Sequence, residues 1–346
     1  MTGSAEPLVG YLGWHGKGNL GDDAIYDAIR AQLSGARFLD LPRLPHEVFH
    51  AAVTGRTRLL RRSAQVVGGG TLVGRRHWRR LVRRGLAITG NQGSYAIGVG
   101  VEDPAFVGRR SGSGRDELRR WLPLLAEFRA VSVRGPRSAE LLADAGLDVE
   151  VAGDPALLLP QPDAVAEDGL IGVNLGFGDD LWGHDPETLA AEMAGALNTL
   201  AGQGHRFLGI LMNPGDRRWT SQALSGVTAE IVLPRDANAA AAEFARCSTA
   251  IVSRLHAGIL AALSATPVVS LEYQPKCRDF ALSIDAERSL IRTDRLSGGA
   301  VVERVQDTLA DAALIRARTE SAVARLRQRL RGEYRIVRAR LGLVGD

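Results

Sequence analysis

The sequence predicts an α/β protein of two domains, each an open and mostly parallel sheet with helices, followed by a long helix. Three observations support this fold class. Apolar segments of strand length alternate with segments of helical spacing, the alternation restarts after a segment rich in prolines and acids at residues 159–169, and the tail has one apolar helical face. The expected domains are residues 1–162 and 168–311, with an Arg-rich C-terminal helix at residues 312–346.

In the first domain, apolar runs predict strands at residues 8–13, 36–39, 64–67, 94–101, 130–133 and 148–151. A helix is expected at residues 22–33, after a glycine-rich loop. Another is expected at residues 136–145, because a proline stands near its start and a glycine just past its end.

In the second domain, strands are expected at residues 171–175, 207–212, 230–233, 250–253 and 267–271. A helix begins after Asp185 and ends at Gly202. The apolar face of the tail consists of Leu326, Leu330, Tyr334, Val337 and Leu341. Two similar α/β domains predict a cleft between them, where ligands commonly bind.

Composition excludes several classes of protein. The two cysteines are too few for a disulfide framework or a multi-cysteine zinc ribbon. The most apolar stretch, residues 251–271, is interrupted by Arg254, His256 and Pro267, so a membrane span is not expected. The first residues lack the basic segment of a secretory signal. We therefore expect a cytoplasmic protein, either free or peripheral at the inner membrane face.

The basic residues are unevenly distributed. Between Arg56 and Arg84 there are ten arginines and no acid. The run from Arg75 to Arg84 places Trp78 among the arginines and predicts a basic amphipathic helix. This helix has either a solvated face or a face for peripheral contact with an anionic membrane or lipid-linked carrier. No nucleic-acid recognition motif accompanies the charge, so nucleic acid is not an expected partner.

The segment from Gly16 to Gly21 matches the dinucleotide-binding pattern G-x-G-x-x-G, between a strand and a helix. Dinucleotide binding is therefore an alternative. Against it, Asp22 and Asp23 stand at the helix N-terminus, where they would repel a pyrophosphate while stabilising the helix.

The segment from His46 to His50 matches the zinc-binding pattern H-E-x-x-H. Pro45 places His46 in the first turn, and no third ligand motif follows. We expect a short, partly exposed helix here and no metal site.

Four corners at the ends of predicted strands carry candidate binding residues. Arg254 and His256 stand where a strand meets a helix N-terminus, which favours anions. Lys276 follows the next strand and Arg134 the equivalent strand of the first domain. Lys276 is one of only two lysines in a chain with 43 Lys and Arg residues, which suggests a need for a compact ammonium. With a glycine corner at Gly68 to Gly70, they predict a site for a small, doubly anionic molecule.

The chain resembles the polysaccharide pyruvyl transferase family. The matching segments, in family order, are GNLGDDAI (18–25), VVGGGTLV (66–73), GVGVEDP (98–104), SVRGPRSAELLADAGL (132–147), GDPALLL (153–159), SRLHAGILAA (253–262) and YQPKCRDF (273–280). One departure is Gly135, where an acid is usual.

The resemblance implies two Rossmann-like domains in a GT-B-like arrangement. The donor would be phosphoenolpyruvate (PEP), and no cofactor is implied. The pyruvyl group would pass to two hydroxyls of one sugar in a cell-surface polysaccharide or its precursor, free or lipid-linked, forming a cyclic ketal and releasing phosphate. The implied donor-binding residues are Arg134, Arg254, Leu255 through its backbone, His256 and Lys276. The acceptor side would include Asn19, Gly21, Asp22, Gly69 and Gly70.

The residue chemistry agrees with this implication. PEP carries a carboxylate and a phosphate, which suit arginine forks and a lysine point charge. Ketal formation needs a proton at C3 of PEP, and His256 is the candidate general acid. Asp22 is the candidate base or orienter for the acceptor hydroxyl. Two other functions stay open, namely a GT-B glycosyltransferase that uses a nucleotide sugar and a non-catalytic sugar-phosphate binding protein.

Overall fold

A computed structural model describes residues 6–89, 92–106, 115–178 and 180–343. The first half contains β1 (Leu8–Leu12), α1 (Leu20–Gln32), β2 (Arg37–Asp40), α2 (Pro45–Val53), α3 (Arg56–Leu60), β3 (Ser63–Val67), β4 (Thr71–Val73), α4 (Arg76–Ile88), β5 (Ser94–Val101), α5 (Arg115–Leu125), β6 (Ala130–Val133), α6 (Pro136–Ala145) and β7 (Glu150–Val151). The last residues of the predicted C-terminal segment, 344–346, lie outside the described residues.

The second half contains β8 (Glu167–Asn174), α7 (Pro186–Gly202), β9 (Arg206–Ile210), α8 (Arg217–Ala223), β10 (Ala229–Val232), α9 (Ala237–Ala245), β11 (Cys247–Val252), α10 (Leu255–Ala262), β12 (Val268–Glu272), α11 (Pro275–Ser283), β13 (Leu290–Arg292), α12 (Gly298–Ala310) and α13 (Ala312–Arg340). Each half thus alternates strands and helices, and the predicted α/β class is confirmed.

Both sheets are parallel throughout the described part of the chain. Their strand orders are β2-β1-β3-β5-β6-β7, with β4 paired to the end of β5, and β10-β9-β8-β11-β12-β13. The order reverses beside β1 in the first sheet and beside β8 in the second. In doubly wound sheets, ligands bind at the carboxyl ends of the strands at such switch points. The topology therefore predicts that a ligand binds at the loops after β1, β3, β8 and β11.

Some elements differ from the prediction in their bounds. β8 begins at Glu167, inside the segment expected to be a linker, because the Glu167 N–H donates to the carbonyl of Arg246 at 2.8 Å. β4 and β13 were not expected, since three-residue strands are too short to show a period. Leu341 caps α13 instead of continuing it.

The C-terminal helix α13 packs back onto the first half. Leu326, Leu330, Tyr334 and Val337 are buried in a core shared with α1 and α10, as the spacing of the tail predicts. Arg327 donates hydrogen bonds to the carbonyls of Leu157 and Leu159 at 2.6 and 2.7 Å. Because this core is continuous across both halves, α13 ties them together.

The predicted basic helix from Arg75 to Arg84 lies mostly in α4, and its apolar side chains form the buried face. Trp78 is 8% exposed and packs in the core of the first half. Arg75 and Arg79 pair with Glu102 and Glu117, acids from distant parts of the sequence. The arginines of this segment are therefore partly neutralised, and Trp78 belongs to the core. Among the described residues, no helix has the length and apolarity of a membrane span.

Replacing a buried residue of α13 should destabilise the whole fold. We expect Leu330→Ala to lower the free energy of unfolding by about 2–5 kcal/mol, because it removes methyl groups from a fully buried site. The matched control is Ile336→Ala on the same helix, which is 53% exposed and should change stability by less than about 0.5 kcal/mol. Urea unfolding of the full chain measures both. Equal effects of the two variants would show that α13 does not pack on the core.

Candidate active site

The loop before α1 is held by its own side chains. Asn19 caps α1, accepting from the N–H of Gly21 at 3.2 Å and donating to the carboxylate of Asp22. Asp23 accepts from the N–H of Gly16 at 2.7 Å. The carboxylates therefore occupy the helix end that a pyrophosphate would need, and the dinucleotide alternative fails on geometry and charge.

The N-terminus of α1 meets the N-terminus of α10 across the cleft. A Cβ atom on Gly21 would lie 2.3 Å from Nδ1 of His256, so only glycine admits the imidazole here. The N–H of Leu20 donates to the carbonyl of Met212 at 3.0 Å, and Asn213 donates to the carbonyl of Gly18 at 2.8 Å. The loop expected on the acceptor side is thus bonded to the half expected to bind the donor.

Arg254 is the N-cap residue of α10 and is held by two buried side chains. Its guanidinium donates twice to Oδ1 of Asp216, at 2.7 and 3.0 Å, and its N–H donates to Oδ1 of Asn174 at 3.2 Å. Asp216 is fully buried and also accepts from the side chain of Asn174. Because Asp216 cannot move into water, it fixes the guanidinium at the carboxyl ends of β8 and β11.

Arg134 is 1% exposed at the end of β6. It donates to Oγ1 of Thr71 at 2.7 Å and lies 3.6 Å from a carboxylate oxygen of Asp279. Its Nε and Nη1 atoms have no hydrogen-bond partner among the described residues. Buried and unpartnered guanidinium N–H groups are costly, so they mark a place prepared for an anion.

Gly135, the position that departs from the resemblance, lies against an acidic side chain of the second half. A Cβ atom on Gly135 would lie 2.3 Å from Oδ1 of Asp279 on α11. Asp279 accepts from the N–H and Oγ of Ser138, at 3.1 and 2.6 Å. Gly135 therefore makes room for a carboxylate from the second half.

Lys276 stands in the first turn of α11. Its ammonium lies 4.7 Å from the centre of the Tyr273 ring, a cation–π distance. Tyr273 is 1% exposed and packs beside Arg254. The ring thus separates and orients two cations of the site.

His256 lies within the field of these cations. Burial, together with the charges of Arg134, Lys276 and Arg254, lowers its pKa to about 3. The imidazole is therefore neutral at physiological pH. Its Nε2 atom lies 3.8 Å from Oδ2 of Asp154, too far for a hydrogen bond, and neither atom has another partner among the described residues.

Two carboxyl groups of the site have a raised pKa, in contrast to the lowered pKa of His256. Burial raises the pKa of Asp22 to about 7, with contributions from Asp23 and Asp154 and opposition from Lys276. Burial also raises the pKa of Asp154 to about 6, against the charge of Arg134. In the free protein, a proton therefore resides on these carboxyl groups in preference to His256.

The remaining predicted site residues are Gly69, Gly70 and Leu255. A Cβ atom on Gly70, whose φ is +94°, would lie 3.7 Å from Oδ1 of Asp22, whereas Gly69 packs against Ile25. Leu255 lines a cavity of about 480 Å³ together with residues of α11 and α13. As the first residue of α10, it has an N–H group without an intrahelical acceptor.

The H-E-x-x-H segment contributes nothing to this cleft. Glu47 accepts from the N–H groups of Arg43 and Leu44, at 2.6 and 3.1 Å, and so caps α2. His46 and His50 are exposed. Within the described ranges, no group of three or more His, Cys, Asp and Glu side chains is arranged to hold a metal ion.

Comparison with known proteins identifies the family. The model of the polysaccharide pyruvyl transferase family matches residues 19–275. The chain belongs to this family. No curated protein sequence matches it significantly.

Solved structures with the same fold act on nucleotide sugars or were solved with nucleotides. The MnaA–UDP complex of S. aureus is 11% identical, with 91% of each chain covered and a TM-score of 0.61. A putative UDP-N-acetylglucosamine 2-epimerase from Listeria monocytogenes is 12% identical, with 92% of this chain and 91% of that chain covered and a TM-score of 0.59. UGT2 of Phytolacca americana, complexed with UDP-2fluoro-glucose and pterostilbene, is 12% identical, with 92% and 94% covered and a TM-score of 0.56. The GT-B-like arrangement implied by the resemblance is thus confirmed.

Four residues of this pyruvyl transferase site were not singled out from the sequence. Asp154 is the second residue of the motif GDPALLL, and Tyr273 opens YQPKCRDF, but neither received a role. Asp216 follows a turn after β9, and Asp279 lies in the interior of α11. Asp154, Tyr273 and Asp279 were within quoted motifs, whereas Asp216 becomes a site residue only through its contact with Arg254.

Adding a methyl group at Gly21 should displace His256. We expect Gly21→Ala to abolish pyruvyl transfer and to lower the melting temperature, because the new Cβ atom would overlap the imidazole and neither helix end can retreat. The control is Gly195→Ala in α7, where no atom lies within 4 Å of the new Cβ. That change should stabilise the protein by about 0.5–1 kcal/mol through helix propensity. A Gly21→Ala variant with wild-type melting and activity would contradict the contact.

The raised pKa of Asp22 predicts a pH-dependent stability. Folded Asp22 keeps its proton up to about pH 7, whereas an unfolded aspartate releases it near pH 4, so the wild-type protein loses stability as the pH rises through this window. We expect the stability of Asp22→Asn relative to the wild type to increase from about pH 4 to about pH 7 and then stay constant. Urea unfolding at several pH values measures this, with the exposed Asp163→Asn as control. A difference that does not vary with pH would show that Asp22 titrates normally.

Proposed function

We propose that the protein transfers the pyruvyl group of PEP to two hydroxyls of one sugar, in a cell-surface polysaccharide or its precursor. The product is a cyclic ketal, and phosphate is released. Family membership supports transferase activity on a polysaccharide. The observation that carries the choice of donor is the set of buried, unpartnered N–H groups of Arg134 beside Lys276, Arg254 and His256.

These cations suit the two anionic groups of PEP. The planar guanidinium groups of Arg134 and Arg254 match a carboxylate or phosphate edge-on, and the Lys276 ammonium serves as a point charge. Asp216 and Asp279 keep the two arginines in place but leave N–H groups of Arg134 free. The N–H of Leu255 adds a neutral donor at the positive end of α10.

PEP binding would also change the protonation of His256. The three cations that lower the pKa of His256 would be offset by the negative charges of the donor. The imidazole could then take up a proton and deliver it to C3 of PEP, while Asp154, 3.8 Å away, stabilises the imidazolium. His256 thus becomes a general acid in the donor complex, although it is neutral in the free protein.

Asp22 is placed for the acceptor. It lies at the N-terminus of α1, and its pKa of about 7 suits a group that both accepts and releases a proton near neutral pH. When the first hydroxyl attacks C2 of PEP, Asp22 accepts its proton. Cleavage of the C2–O bond releases phosphate, and the second hydroxyl attacks C2 to close the ketal. One hydroxyl proton balances the proton gained at C3, and the other leaves with phosphate.

A nucleotide-sugar glycosyltransferase is the competing proposal, since the fold is shared with proteins solved with UDP. A non-catalytic binding protein is another. One experiment distinguishes all three. The full chain is incubated with PEP and a panel of free and lipid-linked glycans, and phosphate release and product mass are followed. Pyruvyl transfer predicts phosphate release only with an acceptor, and a product heavier by pyruvic acid less one water. Turnover of a UDP-sugar but not of PEP would overturn the proposal.

The same assay tests Lys276. Replacement by arginine should raise the KM for PEP, because a planar fork does not reproduce a point contact in the first turn of α11, whose backbone Pro275 restricts. Lys276→Met should reduce kcat/KM for PEP further, by a factor that corresponds to a free energy of about 2–5 kcal/mol. The control is Lys17→Arg, which changes the other lysine, at an exposed loop position. Unchanged PEP kinetics in Lys276→Arg would place Lys276 outside the donor site.

A further inference from the structure

Exposed apolar side chains are concentrated in one region of the first half. In the described ranges, eight large apolar residues are exposed, and four of these lie in or near α2. Phe49 and Val53 are 72% and 70% exposed, and Trp14 and Leu44 are 48% and 49% exposed. The other four lie far apart in the chain. Such clustering indicates a contact surface, because isolated exposed apolar residues need no explanation but a patch does.

The α2 helix presents this apolar character on one face. Its only fully buried residue is Ala51. Phe49 and Val53 are one helical turn apart and therefore neighbours on the exposed side, together with His46 and His50. The H-E-x-x-H pattern thus reflects a capped helix with an outward face, in which Glu47 holds the N-terminus.

Arginines lie on α3, which packs beside α2, and on α4, which contacts the residues just before α2. The guanidinium of Arg43 lies 5.6 Å from the centre of the Trp14 ring, and Arg84 of α4 donates to the carbonyl of Arg43 at 2.9 Å. These contacts join α4 to the start of α2, and α3 packs beside α2. Exposed arginines on and just after α3 and on α4 are Arg58, Arg61, Arg62, Arg76, Arg80 and Arg83.

We propose that α2, Trp14 and these arginines form a docking surface for an anionic lipid bilayer. Phe49 and Val53 enter the boundary between headgroups and acyl chains, Trp14 lies at the level of the headgroups, and the arginines bind lipid phosphates. Trp78, the aromatic residue that the sequence places among the arginines, has no part in this contact because it is buried.

The charge on this surface favours a bilayer over a second copy of the chain. A two-fold symmetric interface brings the same patch of both subunits together, so that the arginines of one copy would face the arginines of the other. An anionic bilayer instead offers compensating charge to all of them. The proposal concerns binding alone and does not rest on the pyruvyl transfer proposed above.

Vesicle flotation without PEP or acceptor tests the proposal. The wild-type protein should float with vesicles of phosphatidylcholine and phosphatidylglycerol at low salt, and much less with phosphatidylcholine alone or at high salt. The double variant Phe49→Ser/Val53→Ser should lower the partition coefficient by at least about tenfold, through lost apolar contact. The triple variant Arg76→Gln/Arg80→Gln/Arg83→Gln should bind more weakly and with less salt dependence.

Matched controls and an independent readout accompany this test. Ile336→Ser and Leu233→Ser alter exposed apolar residues elsewhere and should float like the wild type. Tryptophan emission should move to shorter wavelength on addition of anionic vesicles, and this shift should be reduced in Trp14→Phe. Thermal melting confirms that each variant is folded.

Three results would overturn the proposal. The first is a wild-type protein that stays unbound to anionic vesicles at low salt. The second is a Phe49→Ser/Val53→Ser variant that floats like the wild type, which would remove α2 from the contact. The third is a wild-type protein that is a dimer and a Phe49→Ser/Val53→Ser variant that is a monomer, as measured by light scattering, while both float equally. It would assign the face to a second copy.

Discussion

The contact between Gly21 and the imidazole of His256 is the constraint on which the site depends. It brings the N-termini of α1 and α10 together, so that the loop expected to face the acceptor adjoins the helix expected to bind the donor. A side chain at position 21 would separate them. The hydrogen bonds from Leu20 to Met212 and from Asn213 to Gly18 hold the same junction. The continuous core through α13 keeps the two halves at this distance.

Burial at this junction determines the protonation of the site. Desolvation and three cations keep His256 neutral, whereas Asp22 and Asp154 retain protons to higher pH than ordinary aspartates. Asp216 and Asp279 are buried beside the two arginines. The free site retains unpartnered donors on Arg134. An incoming anion would meet fixed N–H groups and would raise the pKa of His256, which links donor binding to readiness for proton transfer.

The first half has a second distinctive region beside this junction. Trp14 stands directly after β1, a few residues before the loop that carries Asn19 and Asp22. The exposed apolar face of α2 therefore lies near the edge of the sheet at which the acceptor-side loop begins. The H-E-x-x-H segment and the arginine-rich stretch suggest unrelated motifs in the sequence. In the structure, α3 packs on α2, and Arg84 of α4 donates to the carbonyl of Arg43 just before α2.

The sequence by itself determined the α/β class, the apolar face of the tail and four of the central site residues. Arg134, Arg254, His256 and Lys276 could be found because each follows a strand, and the carboxyl ends of parallel strands share one sheet edge. The tertiary structure alone decided the roles of Asp216 and Asp279, the burial of Trp78 and the pairing of Arg75 and Arg79 with distant acids. It also decided that His256 is neutral. Local periodicity reports which residues share an element, but charge pairing and desolvation depend on side chains that distant segments bring together.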